Sequence, residues 1–246
     1  MQVYYSPNAV SGQIVSLDQN ESHHIAKVMR MQIGDSIYVV DGKGKQFEAK
    51  IQGIAKAGVQ IAVGACVKFE ERPESLLHIA IAPTKNISRF EWFLEKVTEI
   101  GVAEITPFLC ENSERKHIKP ERLEKIIVAA MKQSKRLYKP ILHDLQAIEN
   151  LFDVSDVEKF IAYCEDIPDE QLISHVNPKT ETIILIGPEG DFTDIELKTA
   201  IQSGYKPVAL GNYRLRTETA GVVVSQIVQD RINLQKIKRN SLQKSN

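Results

Sequence analysis

Cysteine is scarce in this chain. It has three, Cys66, Cys110 and Cys164, odd in number and widely spaced along 246 residues. No CxxC pair occurs and no Cys/His spacing suits zinc, so neither a disulfide framework nor a bound metal is expected. A reducing compartment is the simple inference. Long apolar runs are missing too: nothing approaches the length of a membrane span, and the opening Met1-Gln2-Val3-Tyr4-Tyr5 is not that of a signal peptide. The expectation is a cytosolic protein with no membrane partner. There is no GxGxxG fingerprint and no GKS or GKT phosphate loop, which argues against nicotinamide and nucleotide-phosphate enzymes. Nor is there an excess of charge of either sign. The formal net charge is -1 and by itself says nothing about nucleic acid.

Hydrophobic residues make up 43% of the chain and charged residues 26%, ordinary values for a globular protein with a sizeable core. The charges are segregated. Residues 113–140 carry nine Lys/Arg against three Glu, residues 231–246 carry five Lys/Arg and no acid, and residues 144–197 carry fourteen acids against two Lys. Separated blocks can present a local basic face to phosphates, or can simply be solvated helix faces.

Residues 1 to about 70 read as β-rich. Short runs such as Ser36-Ile37-Tyr38-Val39-Val40 and Val59-Gln60-Ile61-Ala62-Val63 are bounded by Gly-containing turns, and Asp41-Gly42 is a hairpin signal. One short helix is predicted near 23–30, with Ser22 as its N-cap. Many short strands in so few residues point to a small barrel. The polar stretch Glu70-Glu71-Arg72-Pro73-Glu74-Ser75 makes the best linker. Beyond it the pattern becomes α/β. Leu77-His78-Ile79-Ala80-Ile81-Ala82 reads as a strand buried on both faces, followed by a helix bearing Phe90, Phe93, Leu94 and Val97 at helical spacing. A strand over 102–108, a helix from Pro120, strands over 160–164, 182–186 and 207–210, and a last helix over 218–238 complete the alternation, which implies a parallel sheet with helices on both faces.

Two segments carry the chemistry. Ile183-Ile184-Leu185-Ile186-Gly187-Pro188-Glu189-Gly190-Asp191-Phe192-Thr193 runs a strand through a Gly-flanked turn into a helix. Leu210-Gly211-Asn212-Tyr213-Arg214-Leu215-Arg216-Thr217-Glu218-Thr219-Ala220 does the same about one helix later. Two such turns at the carboxyl ends of neighbouring strands form a crevice of the kind that binds small ligands in α/β proteins. Gly187 and Gly190 would give φ > 0 or let a ligand approach the backbone. Together the two segments resemble the SPOUT class of RNA methyltransferases, and within it the RsmE-type uridine N3-methyltransferases of small-subunit ribosomal RNA. Glu91-Trp92-Phe93-Leu94-Glu95-Lys96-Val97-Thr98-Glu99-Ile100-Gly101-Val102, Ala129-Ala130-Met131-Lys132-Gln133-Ser134-Lys135-Arg136 and His23-His24-Ile25-Ala26-Lys27-Val28-Met29-Arg30-Met31 resemble further parts of that family, so the likeness covers nearly the whole chain. Asp191 stands where the family commonly has a second Gly, and Lys132 where an acid-rich pattern is common.

The resemblance implies a PUA-like β-barrel over 1–72 that binds RNA and a knotted (trefoil) α/β methyltransferase domain over 73–246. It implies S-adenosylmethionine as cofactor, held by Leu185, Gly187, Gly190, Leu210, Gly211, Leu215, Thr217 and Ala220. It further implies a homodimer and, as partner, small-subunit ribosomal RNA in an assembled or assembling particle. A donor that carries a sulfonium is already activated, so the protein need only align donor and acceptor and manage the acceptor proton. Arg214 or Arg216 would stabilise negative charge on the carbonyls of uracil. Glu218 or Glu189 would take the proton or orient an Arg, unless either merely caps a helix. Lys27, Arg30, Arg115, Lys116, Lys132 and Arg136 are the candidate RNA contacts. No cysteine lies in the motifs, which disfavours methylation at a pyrimidine carbon through a thiolate adduct. Two rivals stay open: an enzyme of the same fold acting on a ribose 2′-hydroxyl, and a non-catalytic RNA-binding assembly protein.

Overall fold

The computed structural model describes residues 2–71, 77–163 and 170–243. Most of the expected linker, and Cys164, therefore lie outside the described residues. The chain divides into two compact units, one Met1–Arg72 with Val128–Lys139 and the other Pro73–Ile127 with Pro140–Asn246.

The first unit holds β1 (Val3–Tyr5), β2 (Ile14–Ser16), β3 (Ser36–Val40), β4 (Lys45–Ala55) and β5 (Gly58–Phe69) in the order β1-β3-β4-β5-β2. Only β1 runs parallel to its neighbour β3. Period-two patterning makes this sheet. Along β4, Phe47, Ala49 and Ile51 are buried while Glu48, Lys50 and Gln52 face solvent, as a half-buried antiparallel strand requires. The Asp41-Gly42 turn forms as expected. Asp41 Oδ1 accepts from the amides of Lys43 (2.7 Å) and Lys45 (3.0 Å), and Gly42 takes the left-handed φ of 71°.

The short helix differs from its sequence reading. It is α1 (Gln19–His23), continued by a π-turn over His24–Val28. Its cap is Asp18, whose Oδ1 accepts from Glu21 N at 2.8 Å. Ser22 is buried instead. Its hydroxyl donates to Leu17 O (3.2 Å) and accepts from Val59 N (2.9 Å), which ties the helix to β5.

A domain border at residue 72 with 73–246 contiguous beyond it does not describe the packing. Met131 and Leu137 bury against Val40, and Tyr138 donates to Glu70 O at 3.0 Å. The apolar side of that segment thus finds its core partner in the N-terminal unit.

The chain beyond residue 76 shows the expected alternation: β6 (Leu77–Ile81), α2 (Ile87–Ile100), β7 (Glu104–Leu109), α3 (Pro120–Gln133, whose end from Val128 belongs to the first unit), β8 (Ile141–Leu142), β9 (Gln146–Ala147), β10 (Glu158–Ala162), α4 (Leu172–His175), β11 (Thr182–Ile186), α5 (Asp194–Gln202), β12 (Lys206–Val208) and α6 (Thr217–Gln243), with the short β8, β9 and α4 not foreseen in the sequence. The strands form one sheet in the order β12-β10-β11-β6-β7-β8, with β9 also on β7. Every pairing is parallel. Alternate residues feed two cores. Leu77, Ile79, Ile81, Ile184 and Ile186 meet Phe90, Phe93 and Val97 of α2 and Val224 of α6 on one face, while Ala80, Ile183 and Leu185 meet Phe152, Ala200 and Tyr205 on the other. Burying each large side chain contributes about 1.5–3 kcal/mol. Helix α6 comes close to α2 because residue 221 is glycine; a Cβ there would stand 2.3 Å from the Phe93 ring.

The topology locates the site. From β10 the chain moves to β11 on one side, then returns past β10 to β12 on the other. Loops that leave a parallel sheet in opposite directions open a crevice beyond the carboxyl ends of the strands.

Candidate active site

A pocket of about 310 Å³ occupies that crevice, at the small end of the range for ligand clefts (about 300–1,000 Å³). It is lined by the ends of β10 (Ala162, Tyr163), β11 (Ile186, Gly187, Pro188) and β12 (Val208 to Gly211), and by Tyr213–Thr217 and Ala220. Of the residues expected to hold the cofactor, Gly187, Leu210, Gly211, Leu215, Thr217 and Ala220 line it. The two turns are joined directly, since the Thr217 hydroxyl donates to Gly187 O at 3.0 Å.

Leu185 and Gly190 are not in the lining. Leu185 is fully buried in the core on the far face of the sheet, so it supports the strand under the pocket. Gly190 lies against Asn112, which donates to its carbonyl at 3.1 Å. Neither Gly187 nor Gly190 has a positive φ. Their small size serves close packing: a Cβ on Gly187 would meet the Phe192 ring at 3.0 Å, and one on Gly190 would meet Asn112 at 3.2 Å. The left-handed residue of this turn is Asp191, with φ 58°. That explains how Asp stands where the similar family has glycine, because Asp tolerates this region better than most residues. In the second turn Gly211 does need its freedom, with φ 139° and nothing within 4 Å of where a Cβ would point.

Sequence reasoning missed Ala162 and Tyr163. They come from β10, which is read correctly as a strand but whose place between β11 and β12 no local pattern reveals.

Arg214, Leu215 and Arg216 also border a second groove of about 600 Å³, with Ser88, Arg89 and Trp92 of α2 and Glu218 and Thr219 of α6. Arg214 and Arg216 are exposed, and neither guanidinium has a hydrogen bond or ion pair among the described residues. Glu218 is buried, with Oε1 3.8 Å from Arg89 Nε and no partner on Oε2. Glu189 behaves oppositely: its Oε1 accepts from Lys85 N at 3.0 Å and ties down the loop after β6.

The candidate RNA contacts separate into two kinds. Lys27, Arg30 and Lys116 are exposed cations with no partner among the described residues. The others are engaged. Arg115 donates to the carbonyls of Thr84 (2.9 Å) and Lys85 (2.5 Å). Lys132 pairs with the buried Glu21; burial raises the Glu21 pKa and Lys132 opposes that. Arg136 is half-buried, and desolvation lowers its pKa against the pull of Glu70. Lys132 is therefore an internal tie whose charge is already met by a buried carboxylate, whereas Arg115 keeps its charge while two of its donors hold backbone carbonyls.

Cys110 lies outside both concavities, and burial pushes its thiol up to about 11, so it is no nucleophile at neutral pH. Among the described residues one trio of His, Cys, Asp or Glu side chains is close enough to hold an ion: His78, Glu104 and His143. It lies at the opposite ends of the strands and satisfies itself. His143 Nε2 meets Glu104 Oε2 at 2.7 Å, and His78 Nε2 meets the Thr106 hydroxyl at 2.7 Å. No helix among the described residues is long and apolar enough to cross a membrane.

Comparison with known proteins agrees with this architecture. A family model described as an RNA methyltransferase domain matches residues 70–229, and one described as an RNA methyltransferase PUA domain matches residues 17–63. The chain is similar to the ribosomal RNA small subunit methyltransferase E of Buchnera aphidicola subsp. Acyrthosiphon pisum, 31% identical with 92% of each chain covered. It is also similar to that of Synechocystis sp., 28% identical over 89% of this chain and 73% of that one. Among solved structures, a probable rRNA-methyltransferase from Porphyromonas gingivalis superposes with TM-score 0.85 at 36% identity, covering 96% of this chain and 100% of that one. The ribosomal RNA small subunit methyltransferase E of Neisseria gonorrhoeae, solved with bound S-adenosylmethionine, gives TM-score 0.81 at 26% identity, covering 94% of this chain and 97% of that one.

Proposed function

The chain belongs to the RNA methyltransferase family, beside the ribosomal RNA small subunit methyltransferase E proteins, and on that premise we propose that it methylates N3 of a uridine in small-subunit ribosomal RNA. The observation that carries this reading is the pair of adjoining concavities that share Arg214, Leu215 and Arg216. One has the features of a cofactor pocket and the other faces it with cations and a buried carboxylate.

The first concavity fits S-adenosylmethionine. Leu210, Leu215 and Ala220 offer apolar surface, and Gly211 leaves open the space that a side chain would fill. Bound there, the cofactor supplies an activated methyl group. The remaining work falls to the protein. Uridine N3 must lose a proton, and Glu218, with one oxygen lacking a donor, would accept it. As the proton leaves, negative charge spreads onto the two flanking carbonyls. Arg216 or Arg214 stabilises that charge without giving up another partner.

Lys27 and Arg30 of the N-terminal unit, and Lys116, supply phosphate contacts that favour ribosomal RNA. We further read the C-terminal region, where Thr217 is bonded back to Gly187, as the trefoil knot of this family, and the protein as a cytoplasmic homodimer acting on an assembled or assembling particle.

The test is transfer from labelled S-adenosylmethionine to small-subunit particles that lack the modification, followed by nucleoside analysis. The reading expects 3-methyluridine. A 2′-O-methylated nucleoside would move the protein to the ribose-modifying rival, and cofactor binding without transfer would move it to the non-catalytic one.

A further inference from the structure

Trp92 is 44% exposed on α2, the opposite behaviour from its neighbours Phe90 and Phe93, which are fully buried. It lies one helical turn after Ser88, so both project on the same side, into the groove beside the cofactor pocket. The same groove holds a second unsatisfied feature. The Glu218 side chain is 8% exposed, yet its Oε2 has no hydrogen-bond partner among the described residues. A buried carboxylate oxygen without a donor is costly, and an exposed indole is unspent stacking surface. One kind of ligand answers both. It has flat apolar faces for the indole, an N–H at its edge for the carboxylate, and acceptors flanking that N–H for the arginines.

A uracil edge reads acceptor, donor, acceptor: O4, N3–H, O2. Cytosine presents an amino donor and a bare N3 instead, which leaves Glu218 unanswered and sets a donor against a cation. We propose that Trp92 is the platform on which the acceptor base stacks in this groove, its ring holding the uracil edge towards Glu218. Arg89 is then a positioning residue, holding Glu218 Oε1 from 3.8 Å without touching the base. The arrangement rests on the methyl-transfer reading for its purpose, but the binding it describes can be measured apart from turnover.

Trp92 is the single tryptophan of the chain, so emission excited selectively at the indole reports on this groove alone. Titration of the full-length protein with oligouridylate should quench that emission, and oligocytidylate of the same length should quench it far less. Trp92→Ala should raise the KM for RNA by about tenfold or more, the scale of removing one base stack, while S-adenosylmethionine affinity holds. Trp92→Phe should restore most of the loss. Arg89→Gln should lower kcat more than it raises KM, with Arg89→Lys recovering part of it. Equal quenching by the two homopolymers, or none by either, overturns the proposal. So does a Trp92→Ala protein with wild-type KM, or one whose KM changes only because sedimentation shows a broken dimer, since the groove is then a contact between two copies of the chain. Failure of the parent reading looks different: the wild-type protein would still bind oligouridylate at Trp92 but would yield no 3-methyluridine.

Discussion

The two ends of the parallel sheet are finished in opposite ways. At the amino ends of β6 and β7, polar side chains answer one another: His143 meets Glu104, and His78 meets Thr106. At the carboxyl ends of β10, β11 and β12 the inventory is left open. The guanidinium groups of Arg214 and Arg216 have no partner among the described residues, Glu218 has an unpartnered oxygen, and Gly211 holds a conformation that side chains avoid. Buried polar atoms without a partner also occur elsewhere, Thr182 Oγ1 at the amino end of β11 among them. What marks the carboxyl end as the place for a ligand is that Glu218 lies there with two untied guanidinium groups and the open Gly211 turn, around two adjoining concavities.

Two glycines of the open end sharpen this contrast. Gly211→Val forces a branched side chain into φ 139°, a strain of about 1–3 kcal/mol that the loop can relieve only by leaving its position. The expected outcome is a loss of S-adenosylmethionine affinity between about fivefold and a hundredfold, measured by calorimetric titration, with the thermal midpoint little changed. Gly187→Val acts on the core instead. Its Cβ meets the Phe192 ring at 3.0 Å, so overpacking should cost about 1–3 kcal/mol of stability. A thermal midpoint equal to wild type would contradict this packing.

The closed end makes its own prediction through pH. Burial, more than the neighbouring His143 charge, lowers the His78 pKa from 6.5 to about 4, against the pull of Glu104. Between those values the unfolded chain binds a proton that the folded chain refuses, so stability should fall as the pH drops from 6.5 towards 4. The loss approaches roughly 2–3 kcal/mol at the low end. Chemical denaturation of wild type and His78→Gln across that window checks it; equal slopes would show that His78 is not the group responsible.

A comparable contrast separates the cations. Lys132→Gln leaves Glu21 buried without its partner and should cost about 2 kcal/mol, with the salt dependence of RNA binding unchanged. Neutralising Lys27 and Arg30 should do the reverse. Stability should hold, and the log–log salt slope should fall by about 0.7–0.9 for each phosphate that no longer meets a cation. If both pairs of measurements moved together, the separation of tied from free cations would be wrong.

Much of this was readable in the linear chain because it rests on local pattern. Leu77-His78-Ile79-Ala80-Ile81-Ala82 and the run into Gly187 read as strands buried on two faces, and they pair with each other in the sheet. The two Gly turns and the residues from Leu210 to Ala220 read as a ligand crevice, and most of them line one. What stayed hidden depends on partners distant in sequence. No periodicity announces that Met131 and Leu137 bury against Val40, or that Arg115 spends its guanidinium on two carbonyls. Gly187 looked like a site for φ > 0, yet its neighbour Phe192 is what excludes a side chain. No pattern in the sequence singles out Trp92. Only the packing shows that α2 turns it outward beside Arg216 and Glu218.

The most direct test of the contrast between the two ends is a single-turnover methyl-transfer assay on small-subunit particles, run with wild type, Arg216→Ala and His143→Ala. With the open end as the active site, Arg216→Ala should lose on the order of a hundredfold in rate, as when one stabilising donor is removed from a developing oxyanion. His143→Ala should transfer at the wild-type rate. Full activity in Arg216→Ala, or a comparable loss in His143→Ala, would contradict the account.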